Sequence, residues 1–464
     1  MNIIILGAGQ VGSALAQFLA KENNNITIVD TDNEHLQKLQ DHIDVRTVKG
    51  HAAYPSVLEE AGAEDADMLI AVTPSDEVNL LACQIAKILF KVPDKIARIR
   101  RSEYITHPEL FDPDFSTDAM AINTVISPEL LVMRYIEQLI RYPGALQVLD
   151  FADGKLRLVA LKVRTDGPMI GQSIRDITAK LSQNQEIRIV AIYRNNKAIA
   201  PDGDTTFIDG DEVFFLAQTD AIISIMRKLN RLDAPYKKIF IAGGGNIGVR
   251  LAKALENDFQ IKILEHNLSR CRSIAEELSH SIVLHGDTMD RDLLIEENID
   301  EIDLFIGVTN HDEANILSSM FAKQLGARKV MTLVNNNDYV NLIQDDKIDI
   351  AISADQITIS SLLAKVRQGN TAVVHTLRRG AAEAIEVIAH GSENTSQIIG
   401  RKIEEIAWPP ATIVGALVRE NGDLLMAHHD TIIEAGDHIV LFVSDREQVL
   451  AVERLITPKK IKTR

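Results

Sequence analysis

Short apolar runs recur along the chain, each closed by a glycine or an acid and followed by a stretch of helical spacing. In the first hundred residues the runs read NIIIL, ITIVD, VRTVKG, MLIAV and RIR. Between the first two lies VGSALAQFLAKE, whose apolar residues fall at i, i+3 and i+4, the period of an amphipathic helix. Strands separated by helices predict a parallel sheet with right-handed crossovers. The pattern then changes. LRLVALKV, IRIVAIYRN and EVFFLAQ are short strands around a Gly-Asp turn, with a helix expected near 219–231, which reads as a small α+β module. The polar, proline-bearing stretch LNRLDAPYK at 229–237 then joins two halves.

The second half repeats the first. Gly7, Gly9 and Gly12 recur 236 residues on as Gly243, Gly245 and Gly248, and Gly50 recurs as Gly286. Thr73, Asp76, Glu77 and Asn79 recur at the same offset as Thr309, Asp312, Glu313 and Asn315. Ile126-Ser127 recurs as Ile352-Ser353, 226 residues on, so the first copy holds about ten extra residues between 90 and 126. Ile170-Gly171 pairs with Ile399-Gly400, and Gly210-Asp211 with Gly436-Asp437. The predicted fold class is α/β: two Rossmann-like, doubly wound parallel-sheet domains, each followed by a small α+β subdomain. The expected boundaries are 1–143, 144–232, 233–369 and 370–464.

The repeated glycines carry the chemistry. In Gly-x-Gly-x-x-Gly the first glycine allows a tight strand-to-helix turn, and the second lets a pyrophosphate approach the backbone. The third lets helix and strand pack closely, with the helix N-terminus facing the phosphates. Asp30 ends the next strand eighteen residues after Gly12, where a carboxylate can take both hydroxyls of an unphosphorylated ribose. In the second copy a strict offset would place His266 there, but Glu265 is the better candidate, because imidazole cannot accept two hydroxyl bonds. The other reading is that these glycines and acids only shape turns.

A second cluster, TPSDEVN at 73–79 and TNHDEAN at 309–315, follows an apolar strand and opens a helix in each copy. Thr73 and Asp76 are good helix caps, which explains them without a ligand, but recurrence keeps a ligand role open. Only the first copy continues into ARIRRSEY; the second has MTLVNNND. Arg98 and Arg100, alternating on one strand face, are candidates for holding an extra phosphate, with an inter-subunit salt bridge as the alternative. His51 against Asp287 is a further sign that the two sites are not equivalent. The candidate nucleotide set is therefore Gly7, Ala8, Gly9, Gln10, Val11, Gly12, Asp30, Thr73, Pro74, Arg98 and Arg100 in the first half. In the second it is Gly243, Gly244, Gly245, Asn246, Ile247, Gly248, Glu265 and Thr309.

The chain of 464 residues is 46% hydrophobic and 25% charged, ordinary for globular protein. Its net charge of −17 argues against a nucleic-acid partner. The two cysteines, Cys83 and Cys271, have no neighbouring ligand cluster, so neither disulfide nor metal is expected. The chain opens on a strand with no leader-like segment, and no run is long and apolar enough to span a bilayer. The small modules offer no general acid–base pair or nucleophile of the sort a dehydrogenase needs beside its nicotinamide. His428-His429-Asp430 corresponds to the turn Asp202-Gly203-Asp204 and reads as a solvated loop. Asp211 and Asp437 sit where turns favour Gly-Asp and are given no chemistry. The helix SPELLVMRYIEQLIRYPG at 127–144 and a shorter copy, ITISSLLAKVRQG at 357–369, bridge each nucleotide unit to its module and pack either in the core or against another chain.

These marks together resemble the TrkA family of double regulator-of-potassium-conductance (RCK) proteins, the regulatory subunits of bacterial Trk potassium uptake. The resemblance rests on IIILGAGQVG, ITIVDTD, VLEEAGAEDADMLIAVT with SDEVN, EQLIRYPGALQV, AGGGNIG, GVTNHDEAN, IDIAIS and LRRGAAEAIE, and covers essentially the whole chain. It implies NAD(H) and ATP or ADP as ligands. It implies a homo-oligomeric ring, expected to be a tetramer, on the cytoplasmic face of a TrkH- or TrkG-type membrane subunit, with no catalysis. The competing reading is an NAD-dependent oxidoreductase whose substrate site has gone unrecognised.

Overall fold

The computed structural model describes the chain except residues 23, 112–118, 182–186, 196, 200, 230–233, 337–338, 340–342, 344–346, 368–370, 378–381 and 459–464. Part of the insertion in the first copy, part of the 229–237 joining stretch, and the end of the 357–369 segment therefore lie outside the described residues.

The first sheet holds β1 Asn2–Leu6, β2 Asn25–Asp30, β3 Arg46–Lys49, β4 Met68–Ala71, β5 Asp94–Arg98 and β6 Thr124–Ile126. Its order is β3-β2-β1-β4-β5-β6 and its pairs are parallel. The apolar runs fill both faces: Ile3, Ile4, Ile5 and Leu6 are all buried, as are Leu69, Ile70 and Ala71. The order reverses between β1 and β4, and that switch point is where such sheets open a crevice at their carboxyl edge. A second sheet, antiparallel, follows with β7 Ala145–Phe151, β8 Leu156–Lys162, β9 Ile187–Arg194, β10 Lys197–Ile199 and β11 Glu212–Gln218, in the order β10-β9-β11-β8-β7.

The second half repeats both sheets. β12 Lys238–Ala242, β13 Gln260–Glu265, β14 Ile282–His285, β15 Leu304–Gly307, β16 Lys329–Val334 and β17 Ile350–Ser353 take the order β14-β13-β12-β15-β16-β17. β18 Thr371–Leu377, β19 Ala382–Ile388, β20 Thr412–Val418, β21 Leu424–Met426 and β22 His438–Val443 take the order β18-β19-β22-β20-β21. The two antiparallel sheets share one apolar cluster, in which Leu158, Phe214 and Leu216 meet Leu377, Ala384 and Phe442. Gly415 belongs to this contact: a Cβ there would stand 2.2 Å from Leu216 Cδ1.

The chain divides into two compact units. One gathers residues 1–132, 333–345 and 351–365; the other gathers 133–332, 346–350 and 366–464. Helix Ala354–Val366 thus falls, up to Lys365, in the unit of the first sheet, although it belongs to the second half by sequence.

Three expectations about elements are corrected. The run RIR is not a strand: β5 ends at Arg98, and beyond the Ile99 amide, which donates to Ile126 O at 2.9 Å, Asp76 takes up the amides of Arg100 and Arg101. The second bridging helix starts at Ala354, three residues before the expected Ile357, since Ser353 Oγ accepts from the Gln356 amide. It is about as long as its counterpart, Pro128–Arg141. The helix near 219–231 is α-helical over Ile222–Leu229, preceded by a 3-10 turn at Thr219–Ala221.

Candidate functional site

Each parallel sheet builds the same crevice from the end of its first strand. After β1 the chain turns through Gly7, whose φ of +107° only glycine adopts easily, and its amide donates to Val29 O at 2.8 Å. A Cβ at Gly7 would also press on Thr73 N at 3.1 Å, so the loops after β1 and β4 abut. At Gly12 a Cβ would stand 1.9 Å from Gly7 O, which is why helix Gln10–Ala20 requires glycine there. Gly9 differs. It is the N-cap of that helix, extended at φ −69° and ψ −173°, and a Cβ on it would meet nothing within 4 Å. Among the described residues no side chain caps the helix, which leaves its first amides without a capping partner there. Gln10 is exposed, whereas Val11 turns its side chain into the core.

Asp30, at the end of β2, anchors this loop. Its Oδ2 accepts from Ala8 N at 2.6 Å and its Oδ1 from Asp32 N at 2.8 Å, and each oxygen retains a second lone pair. The second half is built alike. Gly243 has φ +123°, Gly248 would clash with Gly243 O at 1.9 Å, and Gly245 has open space. Glu265, not His266, stands in the position of Asp30: its Oε2 accepts from Gly244 N at 3.0 Å and its Oε1 from Asn267 N at 2.8 Å. His266 is outward, its side chain 83% exposed. Arg270 donates from Nε to Gly244 O at 3.2 Å, a contact on the second loop that spacing alone did not single out.

The cluster after β4 does more than cap a helix. Its cap is Ser75, which accepts from Val78 N, rather than Thr73 or Asp76. Thr73 is held by Asn79, whose Oδ1 accepts from Thr73 N at 3.0 Å and from its hydroxyl at 2.7 Å. Thr309 is held by Asn315 in the same way, both at 2.7 Å. Pro74 lies exposed between these residues. Asn79 Nδ2 also donates to Arg98 O at 2.9 Å, while buried Asp76 accepts from the amides of Arg100 at 3.0 Å and Arg101 at 2.8 Å. Asp76 and Asn79 therefore fix the arginine-bearing backbone. Their recurrence as Asp312 and Asn315 is the signal that sequence offers, and helix capping accounts for only part of it.

The two arginines do not share a strand face. Arg98 is half-buried, with no partner for its Nε among the described residues. Burial, then the like charge of Arg100, pulls its pKa down, against the opposing pull of Glu129, Asp355 and Asp76. Arg100 lies past the strand end, 46% exposed, and donates from Nε to Glu129 Oε1 at 2.7 Å. In the second half no arginine follows β16. His51 lies against Tyr54, with ring centroids 4.8 Å apart, while Asp287 Oδ1 accepts from Met289 N. Among the described residues no group of acids, histidines or cysteines is arranged to hold a metal, and no helix is long and apolar enough to cross a membrane.

Comparison with known proteins fits this duplicated geometry. The TrkA-N domain family matches residues 3–128 and again 239–354, and the TrkA-C domain family matches 158–230 and 393–457. The Trk system potassium uptake protein TrkA of Halomonas elongata is 51% identical over 98% of both chains. Those of Vibrio alginolyticus and Haemophilus influenzae are 49% and 46% identical over 99% of both chains. The chain belongs to the TrkA family. This places it among potassium-uptake proteins rather than oxidoreductases. Its fold is that of the GsuK RCK domain, with a TM-score of 0.61 at 19% identity over 98% of this chain and 94% of that one. The GsuK channel bound to NAD gives a TM-score of 0.61 at 18% identity over 97% and 79%.

Proposed function

We propose that the chain is a regulatory subunit that binds NAD(H) and ATP or ADP in its two crevices and thereby gates a membrane potassium-translocating partner of TrkH or TrkG type. It acts from the cytoplasmic face as a homo-oligomeric ring, in our reading a tetramer. The four segments 1–143, 144–232, 233–369 and 370–464 serve as alternating sensing and regulatory parts.

One observation carries the ligand half of this reading. Gly9 and Gly245 are glycines that neither packing nor backbone conformation demands, since φ is ordinary and a Cβ would meet open space. A residue kept small without an internal reason, at the uncapped start of a helix, is what close approach of a pyrophosphate requires. Asp30 and Glu265 favour an unphosphorylated ribose, and a related fold carries NAD in the GsuK channel. The transport half rests on family membership. Ligands act by differential affinity for two conformations of the ring, since equal affinity shifts nothing.

Calorimetric titration of the full chain with NAD, NADH, ADP and ATP tests the sites. Gly9→Ala and Gly245→Ala should each weaken nucleotide binding at their own crevice by about tenfold or more while leaving the melting temperature nearly unchanged. Unaltered affinities in both variants would overturn the assignment. Co-purification with a TrkH-type protein, and nucleotide-dependent potassium flux through it in vesicles, test the partner.

A further inference from the structure

Arg100 is already engaged. Its side chain gives Nε to Glu129 Oε1 at 2.7 Å, and its backbone is pinned by Asp76. Only the side chain is therefore free to choose a new partner. Glu129 stands in the first turn of helix Pro128–Arg141 with its side chain 9% exposed, and its other oxygen, Oε2, is buried with no partner among the described residues. The neighbouring Ser127 hydroxyl is also buried, with no partner among the described residues. If Arg100 leaves, a carboxylate with little access to water loses its single ionic contact to that residue, a cost that a weakly charged ligand cannot offset.

We propose that Glu129 sets the nucleotide preference of the first site by competing with the outermost phosphate for Arg100. This rests on the nucleotide-binding reading above. A ligand whose phosphates end at the glycine loop leaves the Arg100–Glu129 pair intact. A ligand with a further phosphate must draw Arg100 off Glu129, so part of its extra attraction is lost in breaking the pair. Glu129 thus lowers affinity for the longer phosphate chain and couples its arrival to the helix that leaves the domain. Asp355 occupies the equivalent place in the second half, at the start of helix Ala354–Val366, and its charge also reaches Arg98. No arginine follows β16, so the competing pair exists at the first site and has no second-site counterpart.

Titrate wild type, Glu129→Gln, Arg100→Ala and the double variant, each as full-length protein, with ATP, ADP and NADH. Glu129→Gln should bind ATP about tenfold more tightly and ADP less than twofold more tightly, and Arg100→Ala in the same chain should erase the gain. Glu129→Asp, which keeps the charge but withdraws it by a methylene, should shift ATP affinity in the same direction by about threefold, and serves if the glutamine variant does not fold. ATP affinity unchanged or weakened in these variants, with ADP or NADH still bound, overturns the role of Glu129 alone. Absence of all nucleotide binding in the wild type overturns the underlying reading with it.

Discussion

Gly244 lies directly over Glu265: its amide donates to Oε2 at 3.0 Å, and a Cβ on it would stand 2.9 Å from that same oxygen and 2.5 Å from Ile274 Cδ1. In the first half the pair is Ala8 and Asp30, joined by the equivalent bond at 2.6 Å. The longer acid has taken the space that the methyl group fills in the other copy. Gly244→Ala should therefore destabilise the second domain by about 2 kcal/mol, and Glu265→Asp in the same chain should restore part of it, since the contact with Ile274 Cδ1 remains. Amide exchange of β12 and β13 measures both. Equal losses in the single and double variants would show that the two positions are independent.

Asp76 should matter through the backbone it holds. It accepts the amides of Arg100 and Arg101 from a buried position, and among the described residues no other acceptor meets those two amides. Asp76→Ala leaves both donors without their charged acceptor, a loss of about 2 kcal/mol locally. Trypsin should then cut after Arg100 or Arg101 roughly thirtyfold faster than in wild type, as the opened population rises. ATP binding at the first site should weaken, while the second site keeps its affinity.

The Gly-Asp turns hold more than their backbone suggests. Asp211, with no exposed surface, accepts Arg194 Nε at 2.9 Å and Nη2 at 2.8 Å, and also the Ile208 amide. Asp437 does the same with Arg419 and with the Glu434 amide at 2.7 Å. Arg419→Ala should cost about 3 kcal/mol, because it strands the buried Asp437 carboxylate; Asp437→Ala should cost about 2 kcal/mol, since Arg419 is half-buried and keeps Glu434 at 3.4 Å; and the double variant should lose much less than the sum. Urea unfolding of the four proteins gives the cycle.

These pairs mark what the sequence hid and what it showed. The glycine loops, the acid ending the second strand and the duplication were legible because each repeats a fixed spacing that local backbone geometry enforces. Glu265 was recoverable over His266 by asking which side chain has two acceptor oxygens. Asp211 and Asp437 were not, because a turn explains Gly-Asp completely until the arginine is seen folded back upon it. Yet Arg194 and Arg419 recur at matching places, 17 and 18 residues before their acids, and that recurrence was the missed signal. Asp76 is obscured for a similar reason: a helix start accounts for it locally, whereas the Arg100 and Arg101 amides that it accepts lie one strand further along the sheet. The association of helix Ala354–Val366 with the first sheet's unit was beyond reach, since an apolar helix face does not state which partner it meets.

Asp349 gives a pH dependence whose sign is fixed by its surroundings. Desolvation alone would raise its carboxyl, but the hydrogen bond from Lys323 at 2.7 Å, the charge of Lys329 at 3.0 Å and the amide of Val330 hold it below the ordinary 3.8. A folded value below the unfolded one means that the unfolded chain binds the proton more readily as the solution is acidified. The stabilisation from Asp349 is therefore complete above the ordinary carboxylate value and is lost as pH falls through the lowered one. Asp349→Asn removes the charge while keeping the shape, and should destabilise the second domain by about 2 kcal/mol at pH 7. That gap should persist to about pH 5 and close as pH falls below the lowered value. Urea midpoints of the two proteins across this range decide the matter: a gap that stays constant down to the lowest pH would mean that the ion pairs at Asp349 contribute nothing through its charge.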